Sequence, residues 1–182
     1  MALEYEDVDG PALLSSILSG GAQEWFLFRK DDLETESTPE DIGPSATNRA
    51  AIVKISVPHV FKTGKRMYRM YSTENTAKLK ISKVGSKDSY GFKLEAEWFV
   101  PGLDADVLGM GVMAQNDKVF GIFKLMNGKQ IQVGCTISSG ILTFDFDSGE
   151  VEQGGLGMTF KLSAYDKTVR IYEPAPQLTP EA

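Results

Sequence analysis

The chain has 182 residues, of which 42% are hydrophobic, with 18 glycines, a single cysteine, a single histidine and a formal net charge of −6. That length allows one domain with a full core plus extensions, while one cysteine and one histidine exclude an internal disulfide and a multi-histidine metal site within one chain and argue against a cysteine-based one. No apolar run approaches the roughly 20 residues that a membrane-spanning helix needs, and the acidic balance argues against sequence-independent nucleic-acid binding, which depends on a basic surface.

The N-terminus, Met1-Ala-Leu-Glu-Tyr-Glu-Asp, is acidic where a secretory signal would be basic and then apolar. The expectation is a protein made and kept in a cytosol, or released from it by lysis. Asp9, Pro11 and Gly20-Gly21 frame a short helix over Ala12 to Ser19. Glu24-Trp-Phe-Leu-Phe-Arg29 has the composition of a strand that is apolar on both faces, so it requires cover from both sides. Asp31, Asp32, Glu34, Glu36, Glu40 and Asp41 then fall in span 31–48, which has no Lys or Arg, no hydrophobic period, and Pro39, Gly43 and Pro44. A block of like charge is ordinarily a solvated loop. A loop of this length in a compact domain is also often functional, and here the functional reading is an arm that meets basic residues of a neighbouring copy. The densest run of positive charge, Lys62, Lys65, Arg66 and Arg69, is the candidate counterpart.

From Ala50 the pattern becomes regular. Ala51 to Val57 reads as a strand ended by Pro58, and Arg66 to Tyr71 as another. Lys78 to Ser82 and Phe92 to Trp98 both alternate with period two, as strands with one buried face do. The antiparallel register that satisfies both alternations places Lys80 opposite Glu95, Lys78 opposite Glu97 and Ile81 opposite Leu94. Facing opposite charges contribute about 0.2–1 kcal/mol per pair, so their larger role is to specify register. Val100-Pro-Gly102 breaks the sheet, and Asp104 is placed to cap a helix over Ala105 to Ala114, although Gly109 and Gly111 each weaken it by about 1 kcal/mol relative to Ala.

The last third reads as strands joined by tight turns. Lys118 to Met126 and Lys129 to Ile137 flank Asn127-Gly128, a two-residue type I′ hairpin signal. That turn would set Ile122 beside Val133 and Phe120 beside Cys135 on one face. Ile141 to Asp147 stops at Ser148-Gly149. Gly154-Gly155 opens a run from Met158 to Ala164, and Thr168 to Tyr172 closes the series before Pro174 and Pro176. In this order, Phe123-Lys-Leu-Met-Asn-Gly-Lys129, Phe146-Asp-Ser-Gly-Glu150 and Ile171-Tyr172 follow a long hairpin, a "VPG" break and one short helix. The chain from about Ile52 to Tyr172 thereby resembles the bacteriophage tail tube (major tail) protein family at the level of pattern.

The resemblance implies a mostly β fold, a two-sheet antiparallel sandwich or flattened barrel with one short flanking helix. Residues 1–49 would be an N-terminal extension and acidic loop, 50–173 the β-sandwich domain and 174–182 a C-terminal tail. It implies a virion structural protein whose hexameric rings stack into a tube for DNA ejection, assembled in the host cytoplasm. Its partners would be other copies and tail proteins such as the tape measure, terminator and baseplate or tip, with transient passage of DNA and no membrane insertion. A monomeric small-ligand β-barrel, a tail terminator and a decoration protein are the alternatives.

The chemical motifs carry little beside this. Gly109-Met-Gly-Val-Met-Ala114 has dinucleotide-fingerprint spacing but lies inside the expected helix, with no parallel βαβ unit around it. Gly154-Gly-Leu-Gly157 lacks the Lys-Ser/Thr of a phosphate loop. Asp145, Asp147 and Glu150 miss calcium-loop spacing, and read as exposed strand-end carboxylates. His59, after Pro58 at a strand end, is expected at the surface. Cys135 is expected to pack as a small hydrophobe on a face with Phe120, Ile131 and Val133. No Gly-x-Ser-x-Gly elbow is present. Glu95 and Glu97 face lysines, which would depress their pKa values and make them poor general acids. The expectation is a non-enzyme without cofactor, metal or catalytic residue, whose function lies in the interface candidates Asp31, Asp32, Glu34, Glu36, Glu40, Asp41, Lys62, Lys65, Arg66 and Arg69.

Overall fold

The computed structural model describes residues 25–73, 76–87, 89–125, 127–148 and 156–181. The expected helix over Ala12 to Ser19 and the Gly154-Gly155 turn lie outside them. Alternation and turn chemistry produce twelve strands among the described residues: β1 (Trp25–Arg29), β2 (Leu33–Thr35), β3 (Lys54–Ile55), β4 (Val60–Phe61), β5 (Tyr68–Met70), β6 (Lys78–Val84), β7 (Gly91–Pro101), β8 (Val119–Lys124), β9 (Gln130–Val133), β10 (Ile141–Asp147), β11 (Gly157–Asp166) and β12 (Arg170–Tyr172). The α-helix among the described residues, α1 (Ala105–Ala114), follows β7.

The strands form a six-stranded sheet in the order β3-β12-β9-β8-β1-β5, a four-stranded sheet β10-β11-β7-β6, and a small pair β2-β4. All pairings are antiparallel except β12 with β3. The two larger sheets face each other as a sandwich and do not close into a barrel. Trp25, Leu27, Phe123 and Val133 from one sheet meet Leu94, Trp98, Phe160 and Leu162 from the other in the main core. The ring centroids of Trp25 and Trp98 are 4.5 Å apart.

β1 is buried on both faces, as its composition requires. Trp25 and Leu27 enter the core between the sheets. Phe26 and Phe28 point the other way, into a second core with Ile55, Phe61, Met67, Phe120, Ile122 and Tyr172. The strand lies between β8 and β5, so the sandwich is built from residues on both sides of position 50. At the other end of the chain, the segment after β12 is clasped to the 64–67 backbone. The Gly64 amide donates to the Glu181 carbonyl (2.9 Å), the Glu181 amide to Lys65 (3.1 Å) and the Met67 amide to Gln177 (2.9 Å).

The β6–β7 hairpin has the register expected from alternation, with Lys80 opposite Glu95, Lys78 opposite Glu97 and Ile81 opposite Leu94. The helix also matches, and the Asp104 carboxylate caps it by accepting from the Asp106 amide at 2.8 Å.

The β8–β9 hairpin differs from expectation by one residue. Gly121 faces Val133, Ile122 faces Gln132 and Phe123 faces Ile131. Leu125 pairs with Lys129, which makes the connection one residue longer than expected. The Leu125 amide donates to the Lys129 carbonyl (2.8 Å) and the Gly128 amide to Leu125 (2.9 Å), with Gly128 left-handed at φ 78°. A slip of one exchanges the faces, so Val133 enters the main core while Phe120 and Ile122 enter the second. Cys135 leaves the hairpin altogether, because Val119 pairs with Gly140 instead. It remains buried, and packs in neither cluster with Phe120 or Val133.

The strand expected over Ala51 to Val57 shortens to Lys54–Ile55. The Asn48 side-chain oxygen accepts from the Ala50 (2.9 Å) and Ala51 (3.0 Å) amides and holds the preceding residues in a turn.

Candidate functional site

The ten interface candidates separate into two groups. Asp32 is buried at the 3-10 turn over Lys30–Asp32, 4.0 Å from Lys65. Asp31 is exposed, but its backbone carbonyl accepts from Lys62 Nζ at 2.7 Å. The Lys62 amide donates to the Asp32 carbonyl at 2.9 Å. The first acidic residues and the basic run thus meet within one chain, next to the β2–β4 pair. Arg66 donates to the Leu178 carbonyl at 3.2 Å and lies over the Tyr68 ring, and Arg69 is exposed on β5. Glu34, Glu40 and Asp41 are exposed. The Thr47 amide and then its hydroxyl hold the Glu40 carboxyl below its ordinary range, and the ion pair with Lys167 does the same for Asp41.

Glu36 is different. Its side chain is almost wholly buried, and both oxygens are used. Oε1 accepts from Arg170 Nη1 (3.1 Å) and Gln132 Nε2 (3.2 Å), and Oε2 from the Thr136 amide (2.7 Å). Arg170 also donates through Nε to Asp166 Oδ2 at 2.5 Å. Burial works against the Arg170 charge, but the bond to Asp166 and the charges of Asp166 and Glu36 more than offset it, so its pKa rises. Two carboxylates around one guanidinium give a buried cluster that is fully hydrogen-bonded, the condition under which buried charge is tolerated.

His59 belongs to the same cluster, and this corrects the surface position expected from Pro58. Only 2% of it is accessible. Its ring packs against Tyr172 and Phe28 with centroids 4.9 and 5.7 Å away. Nδ1 accepts from the Ser37 amide at 3.1 Å, and Nε2 pairs with Gln132 Oε1 at 2.9 Å. Burial pushes the imidazole below its ordinary 6.5; Gln132 and Glu36 pull it up, and Arg170 pushes it slightly down. Cys135 lies near Asp166 and Arg170, and burial raises its thiol pKa, which makes it a poor nucleophile.

Sequence reasoning missed Gln132, Asp166 and Arg170. Their only signal was polar character at strand positions that the structure buries. Among the described residues no group of three His, Cys, Asp or Glu side chains could hold a metal ion, and no helix is long and apolar enough to cross a membrane.

The third feature is the outer face of the four-stranded sheet. It presents Lys78, Lys80, Lys93 and Lys161 together with Glu95, Glu97, Asp145 and Asp147. Lys78 meets Glu97 at 2.9 Å, Lys93 meets Glu95 at 2.6 Å and Lys161 meets Asp145 at 3.3 Å. Lys93, beside it on β7, is the main cause of the lowered Glu95 pKa, ahead of the cross-strand Lys80. The sheet ends in two edges, β6 and β10, with Ile81 and Ile141 exposed on them. No protein-family model, curated protein or solved structure matches this chain.

Proposed function

We propose that the protein is a self-assembling structural subunit, and that its assembly is a hexameric ring that stacks into a phage tail tube. The observation that carries this reading is the four-stranded sheet, whose edge strands β6 and β10 pair with no further strand among the described residues. Its strands alternate in direction, and there are four of them. Rotating one copy about an axis roughly along the strands therefore brings β6 of one beside β10 of the next in antiparallel sense. A head-to-tail contact of this kind closes into a ring when the rotation closes. Unpaired edges with exposed isoleucines are otherwise an aggregation hazard that a monomer would have to blunt.

The charge pattern supports passage of a polyanion rather than its capture. Each lysine on the outer sheet face is beside or opposite a carboxylate, so few positive charges are left to neutralise phosphate. The exposed acids Asp31, Glu34, Glu40 and Asp41 remain the part of the acidic span available to another copy.

Negative-stain microscopy and size-exclusion chromatography of purified protein test the reading. Tubes or hexameric rings support it; a monodisperse monomer at high concentration overturns it. Replacing Ile141 and Ile81 with lysine should abolish rings while leaving the monomer folded.

A further inference from the structure

His59 is the only histidine of the chain, and both ring nitrogens are committed. A backbone amide cannot reverse its polarity, so the Ser37 N–H requires a lone pair on Nδ1. The proton is therefore on Nε2, donated to Gln132 Oε1. The Gln132 amide is itself oriented, because its nitrogen donates to the Gly134 carbonyl (2.9 Å) and to Glu36. No ring flip or tautomer exchange can accommodate a second proton: it would have to go on Nδ1, facing the Ser37 N–H at 3.1 Å.

We propose that His59 is an acid-sensitive latch whose protonation detaches Ser37 and loosens the segment from Ser37 to Asp41 from the sandwich, beyond the anchored Glu36. The charged groups around the ring are the Glu36 carboxylate, which favours its protonation, and the Arg170 guanidinium, which opposes it. From the other elements packed on it come Gln132, the Phe28 ring and Tyr172, whose hydroxyl accepts the His59 amide at 3.4 Å. Glu36 stays anchored by Arg170, Gln132 and the Thr136 amide and marks where the segment begins. Beyond it, Ser37 Oγ donates to the Pro58 carbonyl at 2.8 Å on the exposed side, the Glu40 amide donates to the Ala51 carbonyl at 3.0 Å, and Asp41 meets Lys167 at the surface. Thr35, opposite Val60, is the last paired residue before it. The latch acts below the ordinary imidazole range, since burial keeps the ring uncharged at neutral pH. It does not depend on the assembly proposed above.

Amide hydrogen exchange of the whole chain, read by mass spectrometry and corrected for the intrinsic pH dependence, tests this. Protection in peptides covering 37–41 should fall as pH drops from 7.5 to 5, by up to about tenfold per pH unit below the ordinary imidazole range, while β7 stays protected, since that is the most one linked proton gives. The slow exchange of the histidine C2 hydrogen reads the proton on His59 in the same wild-type samples, and its midpoint should coincide with the opening. In His59→Asn, Oδ1 can accept from Ser37 but does not titrate, so protection should stay flat. Unchanged protection in the wild type, non-coincident midpoints, or an equal loss in His59→Asn, which would assign the effect to the carboxylates, would each overturn the latch.

Discussion

Two glycines on one helix should respond oppositely to the same substitution. Gly109 and Gly111 are both interior to α1, so alanine at either removes a helix penalty of about 1 kcal/mol. A β-carbon on Gly109 would meet nothing within 4 Å. On Gly111 it would lie 2.9 and 3.1 Å from the edge of the Phe144 ring and 3.2 Å from Phe160. Phe160 is fully buried and cannot withdraw, while Phe144 is half-buried and packs against it with ring centroids 5.8 Å apart, so it can give only toward solvent. Overpacking of this kind costs about 1–3 kcal/mol. Gly109→Ala should therefore stabilise by about 1 kcal/mol, and Gly111→Ala should be neutral to destabilising by about 2 kcal/mol. For a chain of this length each kcal/mol moves the melting temperature by about 2–4 °C. Urea titrations of the two variants, made where the protein is unassembled, measure the difference. Equal stabilisation by both would refute the packing of α1 on Phe144 and Phe160.

Removing the guanidinium in Arg170→Met strands Asp166 and Glu36 as buried carboxylates and should cost about 3–5 kcal/mol in a chemical-denaturation series, whereas Asp41→Asn, at a solvent-exposed pair, should leave the midpoint nearly unchanged. The folded-state pKa of His59 lies below the unfolded 6.5, so between the two values the unfolded chain binds more protons. Its contribution to stability is present above about 6.5 and is lost as pH falls through that window, which a denaturation midpoint followed against pH will show for wild type and not for His59→Asn. Gly128→Ala forces a side chain onto a residue at φ 78° and should destabilise the β8–β9 hairpin by about 1 kcal/mol or more. Joint replacement of Asp31, Glu34, Glu40 and Asp41 by their amides should weaken tube formation seen by microscopy while leaving the fold intact. Normal tubes would end the idea that the acidic span joins copies.

What could be read from the chain in advance was what depends on near neighbours. The α1 boundaries follow from Asp104 and the residues after it. The β6–β7 register follows from two alternating strands separated only by residues 85–90. The β8–β9 turn failed although it is local, because Asn-Gly is compatible with both two- and three-residue loops, and the pairing of Val119 with Gly140 favours the longer one. The strand before Pro58 failed for a similar reason, since the Asn48 side chain competes with the ladder for the amides of Ala50 and Ala51. His59 and its partners were out of reach for another reason. Glu36 and Arg170 are 134 positions apart, and His59 and Gln132 are 73 apart. No periodicity or spacing rule connects such residues; only the packing of β9 and β12 behind the β2–β4 pair does.

The two-sided burial of β1 bears on how the chain is made. Trp25 to Phe28 leaves the ribosome well before its partner β8, which begins about 90 residues after β1 ends. At about 5–20 residues per second, the stretch waits several seconds or more before the strand that completes its pairing is made. Four consecutive large apolar residues are a strong aggregation seed over that interval. The segment that later joins the two cores is thus also where a chaperone, or another nascent chain, would bind first.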